Sequence, residues 1–279
     1  MKVMIDGLNL SMNKGTGVST YARNLCEILQ KSGHEVELFY GVPMRKFKPA
    51  ALNEIAFFDN PNSRLAITSK IDRLFILLKS LLLALRGQVR PEKIRMVGVV
   101  NTTSYNSRIP SAGALWNAPE VFKTSWAYFK LTGKFLEVEL DNPPDIAHWT
   151  YPLPLRISGA KNIYTIHDLV PLILPFTTLD NKQDYYKLCK KIVDNTDHTV
   201  TVSENSRNDI LRILDANPSR VTNTYQSVQI PEKNALIPEG QLKSILKNLY
   251  GLEYKEYFVF VGAVEPKKNV ARLLEAYLG

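Results

Sequence analysis

The residues Thr165-Ile166-His167-Asp168 place an imidazole and a carboxyl side by side at the end of a β-branched run. In open parallel sheets, ligand-contacting groups gather at the carboxyl ends of strands. There His167 can donate to a hydroxyl or a leaving phosphate, and Asp168 can orient it. The same residues also read as a plain turn, with Asp168 leading into Leu169-Val170-Pro171 and His167 packed at a sheet edge. Spacing alone does not decide between the two. His148, which ends the preceding apolar run ahead of Tyr151-Pro152, reads as structural.

Three further segments place chemistry at helix starts. Gly15-Thr16-Gly17 lies between a first strand and a first helix, where unpaired amides can receive a phosphate or a hydroxyl and glycines permit close approach. A flexible turn explains it equally well, and no Gly-x-Gly-x-x-Gly follows the first strand, which argues against a nicotinamide cofactor. Ser203 and Glu204 open a helix in which Ser203 reads as the N-cap; functionally, the same helix start would line a cleft. In Gly262-Ala263-Val264-Glu265-Pro266-Lys267-Lys268-Asn269, Asn269 reads as a helix cap. Lys267 and Lys268 sit where the helix dipole disfavours cations. A bound phosphate would resolve that conflict; solvated surface lysines are the alternative.

The elements that must position these residues alternate. A strand at 2–6, a loop at 7–17, a helix at 18–32 with Gly33 as its stop and a strand at 35–40 form the opening unit of a parallel, helix-covered sheet. Residues 41–140 parse poorly apart from an apolar helix at 71–85 and an aromatic segment at 122–135. Regularity returns with strands at 146–149, 163–167, 198–202 and 221–224 and helices at 182–193 and 204–214. A polar connection at 227–236 leads to a helix at 239–250, a strand at 257–261 and a helix at 270–278. Residues 1–228 thus read as one Rossmann-like domain. Residues 229–279 read as a linker and the incomplete start of a second domain.

With 279 residues, 45% of them apolar, the chain can bury a sizeable core, and its net charge of +8 favours anionic partners. No basic helix, zinc-ligand set or aromatic platform points to nucleic acid. Cys26 and Cys189 both fall in helix-like stretches, which suggests neither a disulfide nor a metal site and fits a reducing cytoplasm. The first residues run straight into a strand without a basic, then apolar, leader, which argues against secretion. The segment 71–85 is too short and too interrupted by Arg73 and Lys79 to span a bilayer. With Arg86, Arg90, Lys93 and Arg95 beside it, it can lie on an anionic membrane surface; burial against the sheet is the alternative.

Taken together, four segments resemble the family-four glycosyltransferases and occur in that family's order. They are Gly15-Thr16-Gly17, the run from Thr165 to Pro171, Thr201-Val202-Ser203-Glu204-Asn205-Ser206, and Val261-Gly262 through Lys268-Asn269. The resemblance implies an α/β GT-B fold, two facing Rossmann-like domains, with residues 1–228 as the acceptor-side domain and 229–279 as a truncated nucleotide-sugar-binding domain. It implies a retaining hexosyl- or deoxyhexosyltransferase in cell-envelope polysaccharide synthesis, peripheral on the inner face of the membrane. The donor would be a nucleotide-diphosphate sugar and the acceptor a glycan or a lipid-linked glycan, with no cofactor and no obligatory metal. Gly15 to Gly17 would touch the donor phosphate or the acceptor, His167 would lie beside the transferred sugar, and Lys268 would bind the diphosphate. Ala263 stands where many relatives carry an arginine, which puts a second phosphate contact in doubt. The paired glutamates of the family's second domain have no counterpart before Gly279, so this chain by itself is expected to be inactive. The alternative is a non-catalytic module that binds glycan or a protein partner.

Overall fold

The computed structural model describes residues 1–11, 17–44, 47–59, 74, 78, 79, 82, 85–102, 109–179, 181–227, 237–262 and 264–279. Its first strand, β1 (Lys2–Asp6), buries side chains on both faces, Val3 and Ile5 toward one apolar cluster and Met4 toward another. Burial on both faces is what a central parallel strand requires and why its sequence is a continuous apolar run.

The chain continues through helix α1 (Gly17–Lys31) to β2 (Glu35–Tyr40), which pairs parallel to β1. Helix α2 (Ala50–Phe58) follows, then the short strands β3 (Gln88–Val89), β4 (Glu92–Ile94) and β5 (Ala114–Asn117). The aromatic segment forms helix α3 (Val121–Thr132), stopped by Gly133 in the left-handed region and followed by β6 (Leu136–Val138). Next come β7 (Ile146–Trp149), β8 (Leu155–Ile157), β9 (Lys161–Thr165), α4 (Lys182–Asn195), β10 (His198–Thr201), α5 (Glu204–Leu214) and β11 (Val221–Asn223). Helices α6 (Glu239–Tyr250) and α7 (Val270–Leu278) follow.

The main sheet has the order β11-β10-β9-β7-β1-β2-β5-β4, parallel throughout except for the β4–β5 pair at one edge. From β1 the chain builds outward through β2 and β5, then returns to β7 on the other side of β1 and builds the opposite way. This is the doubly wound α/β architecture expected from the alternating elements. A small parallel sheet, β3-β6-β8, lies outside it. Asn162 on β9, 4% exposed, ties the two sheets together: it accepts from the Ile157 amide at 2.9 Å and the Trp149 indole at 3.1 Å, and donates to the Ile157 carbonyl at 3.0 Å.

Three expectations are corrected. The strand expected at 163–167 ends at Thr165, so His167 lies in the loop beyond it. Residues 257–261 form no strand: the run is unpaired, and Phe258 and Val261 are 79% and 88% exposed. A strand needs a neighbour to take its amides and carbonyls, and no strand partner lies beside it among the described residues. Asn269 does sit at the start of α7, but in the left-handed region (φ 51°) and without a side-chain cap bond. Most of the helix expected at 71–85 lies outside the described residues; Leu74, Leu78, Lys79, Leu82, Leu85 and Arg86 are helical.

Candidate functional site

The doubly wound order makes the carboxyl ends of β1 and β7 the switch point, the crevice where open α/β sheets hold ligands. Asp6 ends β1 there with its carboxylate buried, 2% exposed. Its Oδ2 accepts from the backbone amide of Thr150 and from the Thr150 hydroxyl, the latter at 2.8 Å, while Oδ1 accepts from the Leu8 amide at 3.2 Å. Burial pushes this carboxyl up to about 6, against the pull of those bonds. The next residue must be small: a Cβ on Gly7 would lie 2.4 Å from the Tyr40 ring.

Thr165, at the end of β9, holds two aromatic groups through one hydroxyl. Its Oγ1 lies 2.8 Å from His148 Nε2 and 3.0 Å from the hydroxyl of Tyr21 on α1. The Tyr21 ring meets His167 edge to face, with centroids 5.1 Å apart. His167 Nε2 lies 2.9 Å from the Thr150 carbonyl oxygen, and the Gln226 side-chain nitrogen lies 3.4 Å from His167 Nδ1. Burial lowers the pKa of both histidines, that of His148 to about 4. The result is a patch of neutral imidazoles and hydroxyls beside one buried carboxyl, suited to uncharged, hydroxyl-bearing ligands.

Asp168 does not supply the bonds on the His167 ring. Its Oδ1 accepts from the Val170 amide at 3.0 Å, and its carbonyl accepts from the Tyr185 hydroxyl at 3.0 Å, so it shapes the turn after β9. Ser203 caps α5 by accepting from the Ser206 amide at 3.1 Å, and Glu204 accepts from the Asn223 side-chain amide at 2.8 Å. Both follow β10, the strand next to β9, at the carboxyl ends of the sheet, with their polar groups already engaged. Gly17 is the first residue of α1 and has open space where a Cβ would go; Gly15 and Thr16 lie outside the described residues. Lys267 and Lys268 form a 3₁₀ turn ahead of α7. Lys267 pairs with Glu265 at 3.1 Å, which relieves part of its conflict with the helix dipole. The described contacts do not join either lysine to the histidine cluster, and among the described residues no three His, Cys, Asp or Glu side chains converge as metal ligands.

Sequence reasoning overlooked Asp6, Tyr21, Thr150 and Gln226. Asp6 carried a readable signal, an acid closing the first apolar strand directly before a glycine. Tyr21 was hidden in the apolar stripe of α1, and Thr150 and Gln226 reach the cluster only because β7 and the segment after β11 fold back to the β9 end.

Comparison with known proteins adds two findings. The family model described as Glycosyltransferase Family 4 matches residues 15–228. O-antigen chain mannosyltransferase B of Escherichia coli is 27% identical over 127 residues, which cover 45% of this chain and 32% of that relative. The matched stretch thus spans about a third of the relative's length.

Proposed function

This chain belongs to glycosyltransferase family 4, and on that premise we propose that the protein transfers a hexosyl or deoxyhexosyl group. The donor is a nucleotide-diphosphate sugar and the acceptor a glycan or lipid-linked glycan of an envelope polysaccharide. The observation that carries the reading is the neutral, hydroxyl-rich cluster of Tyr21, His148, Thr165 and His167 at the switch point of the sheet. The naming of the Escherichia coli relative for mannosyl transfer onto O-antigen chains supports a hexose.

In this reading His167 contacts the transferred sugar. The amides opening α1 beyond Gly17 face the donor phosphates or the acceptor, where the helix dipole favours negative charge. Lys268, exposed and without an ion-pair partner among the described residues, meets the diphosphate. The sugar transfers to the same face that the diphosphate leaves, with retention, and cationic and dipolar groups stabilise the leaving charge. The test is a panel of nucleotide sugars monitored for nucleoside diphosphate release and product formation. His167→Ala and Lys268→Ala are each expected to lose about 10–100-fold in turnover, the scale of one lost hydrogen bond or ion contact to a charged group. Wild-type rates in both variants would remove the site assignment. Sugar binding without any turnover would support the non-catalytic module instead.

Attachment to an anionic membrane face belongs to the same proposal. No helix among the described residues is long and apolar enough to cross a membrane. Leu74, Leu78, Leu82 and Leu85, spaced to share one helical face, are 57%, 52%, 68% and 85% exposed, whereas Lys79 reaches the Pro119 carbonyl oxygen at 3.1 Å. Leucines outward and a lysine inward reverse the usual pattern, and Arg86 and Arg95 are exposed nearby in the sequence. Vesicles of phosphatidylcholine with phosphatidylglycerol should co-sediment the protein, and Leu78→Glu with Leu82→Glu should release it. Equal sedimentation of wild type and double variant, or none at any salt concentration, excludes this surface.

A further inference from the structure

The two contacts on the His167 ring carry more information than their lengths. A carbonyl oxygen only accepts, so the 2.9 Å contact with Thr150 places the proton on Nε2. An amide nitrogen only donates, so the 3.4 Å contact with Gln226 leaves the lone pair on Nδ1. Both contacts therefore select the same neutral tautomer, and burial disfavours the doubly protonated ring.

The residue whose carbonyl sets this tautomer is held from its other side, through its side chain and the peptide that precedes it. Asp6 Oδ2 takes both the amide and the hydroxyl of Thr150, and Asp6 Oδ1 is held by the Leu8 amide. Thr150 is 0% exposed, so its peptide has no water to turn toward. The edge of the Tyr21–His167 ring pair holds the imidazole plane from the other side. We infer that Asp6 and Thr150 are positioning residues that lock His167 as the Nε2–H tautomer, presenting Nδ1 as an acceptor that reads a hydroxyl of the ligand and rejects a phosphate oxygen. Gln226, at a long distance and exposed, is the group the ligand hydroxyl displaces. This reverses the expectation that His167 donates to the ligand, because its one N–H is already committed inside the protein. The identity of the hydroxyl as a sugar's rests on the transfer activity proposed above; the tautomer lock does not.

The test reads the imidazole nitrogens directly, by ¹H–¹⁵N spectra of protein labelled at histidine, with His167→Gln assigning the signals. Wild type should show a single Nε2–H tautomer for His167. Asp6→Asn, whose amide cannot accept all three bonds, should show a mixture of tautomers and a ring that protonates at higher pH. Thr150→Val keeps the backbone donation to Asp6 and should give a smaller change of the same kind; it carries the test if Asp6→Asn does not fold. Titration with UDP-glucose and GDP-mannose should move the Nδ1 signal, while UDP, GDP and inorganic phosphate should not. An Nδ1–H tautomer in wild type, or unchanged His167 signals in both folded variants, overturns the lock. If phosphate moves Nδ1 as far as the nucleotide sugars do, or no nucleotide sugar moves it, the hydroxyl assignment is overturned. Transfer rates measured alongside decide separately whether the proposed function falls with it.

Discussion

Burial drives Asp6 and His148 in opposite directions within one cluster, because it disfavours whichever form is charged. The Asp6 carboxyl rises to about 6 from an ordinary value of 3.8, so between those values the folded chain holds a proton that the unfolded chain has released. Its contribution to stability is present at low pH and is lost as pH rises to about 6. His148 falls from 6.5 to about 4, so the unfolded chain takes up a proton that the folded chain refuses, and stability is lost as pH falls through that range. His167, lowered as well, adds to the histidine side. Between about pH 4 and 6 the Asp6 and His148 slopes oppose each other at about 1.4 kcal/mol per pH unit each, and wild-type stability should change little there. Asp6→Asn removes one of the two, and its stability should rise with pH across that window relative to wild type. Urea denaturation at several pH values checks this, and parallel profiles for the two proteins would contradict the assignment of these groups. Asp6 and His148 were both visible as residues in the sequence. Their shared environment was not, because they lie 142 positions apart on two strands.

At the scale of elements, local chemistry predicted what local chemistry controls. Ser203 was legible as a cap because the cap needs only its own side chain and an amide three residues on. The short strands β3, β4, β6 and β8 were not legible, since two or three residues carry no periodicity and exist only through their partners. The loop after β4 illustrates a device without a local signal: Glu54 on α2, 0% exposed, accepts from the Val97 amide at 2.7 Å and the Val100 amide at 3.3 Å. Glu54→Gln leaves one of those amides facing an NH₂ group, with an expected cost of about 1–3 kcal/mol in urea denaturation. Faster hydrogen exchange confined to the amides of 97–100 should accompany it; protection unchanged at those amides would show that other contacts hold the loop.

For the whole molecule, the order of strands decides where chemistry can occur, and the apolar run at 257–261 shows the same dependence on partners. Val259 and Val261 are 69% and 88% exposed although their sequence has every property of a buried strand. Val259→Thr with Val261→Thr should therefore leave the thermal midpoint within about 2 °C of wild type, the scale of a surface change. It should also reduce binding of an apolar fluorescent dye. A large fall in the midpoint would mean that this run is packed in solution.

The amino-acid sequence by itself determined the α/β class, the helix and strand alternation on either side of the poorly patterned middle as far as β11, and the family resemblance of three segments that lie within the matched residues 15–228. These are written in neighbouring residues through periodicity, capping and turn chemistry. Only the tertiary structure decided that Asp6, Thr150, Thr165, Tyr21 and His167 meet, and that Asp168 serves a turn instead of the His167 ring. The physical reason is that a parallel sheet joins residues far apart in the chain. Which strand ends become neighbours depends on the direction in which each crossover winds, and no local pattern records that direction.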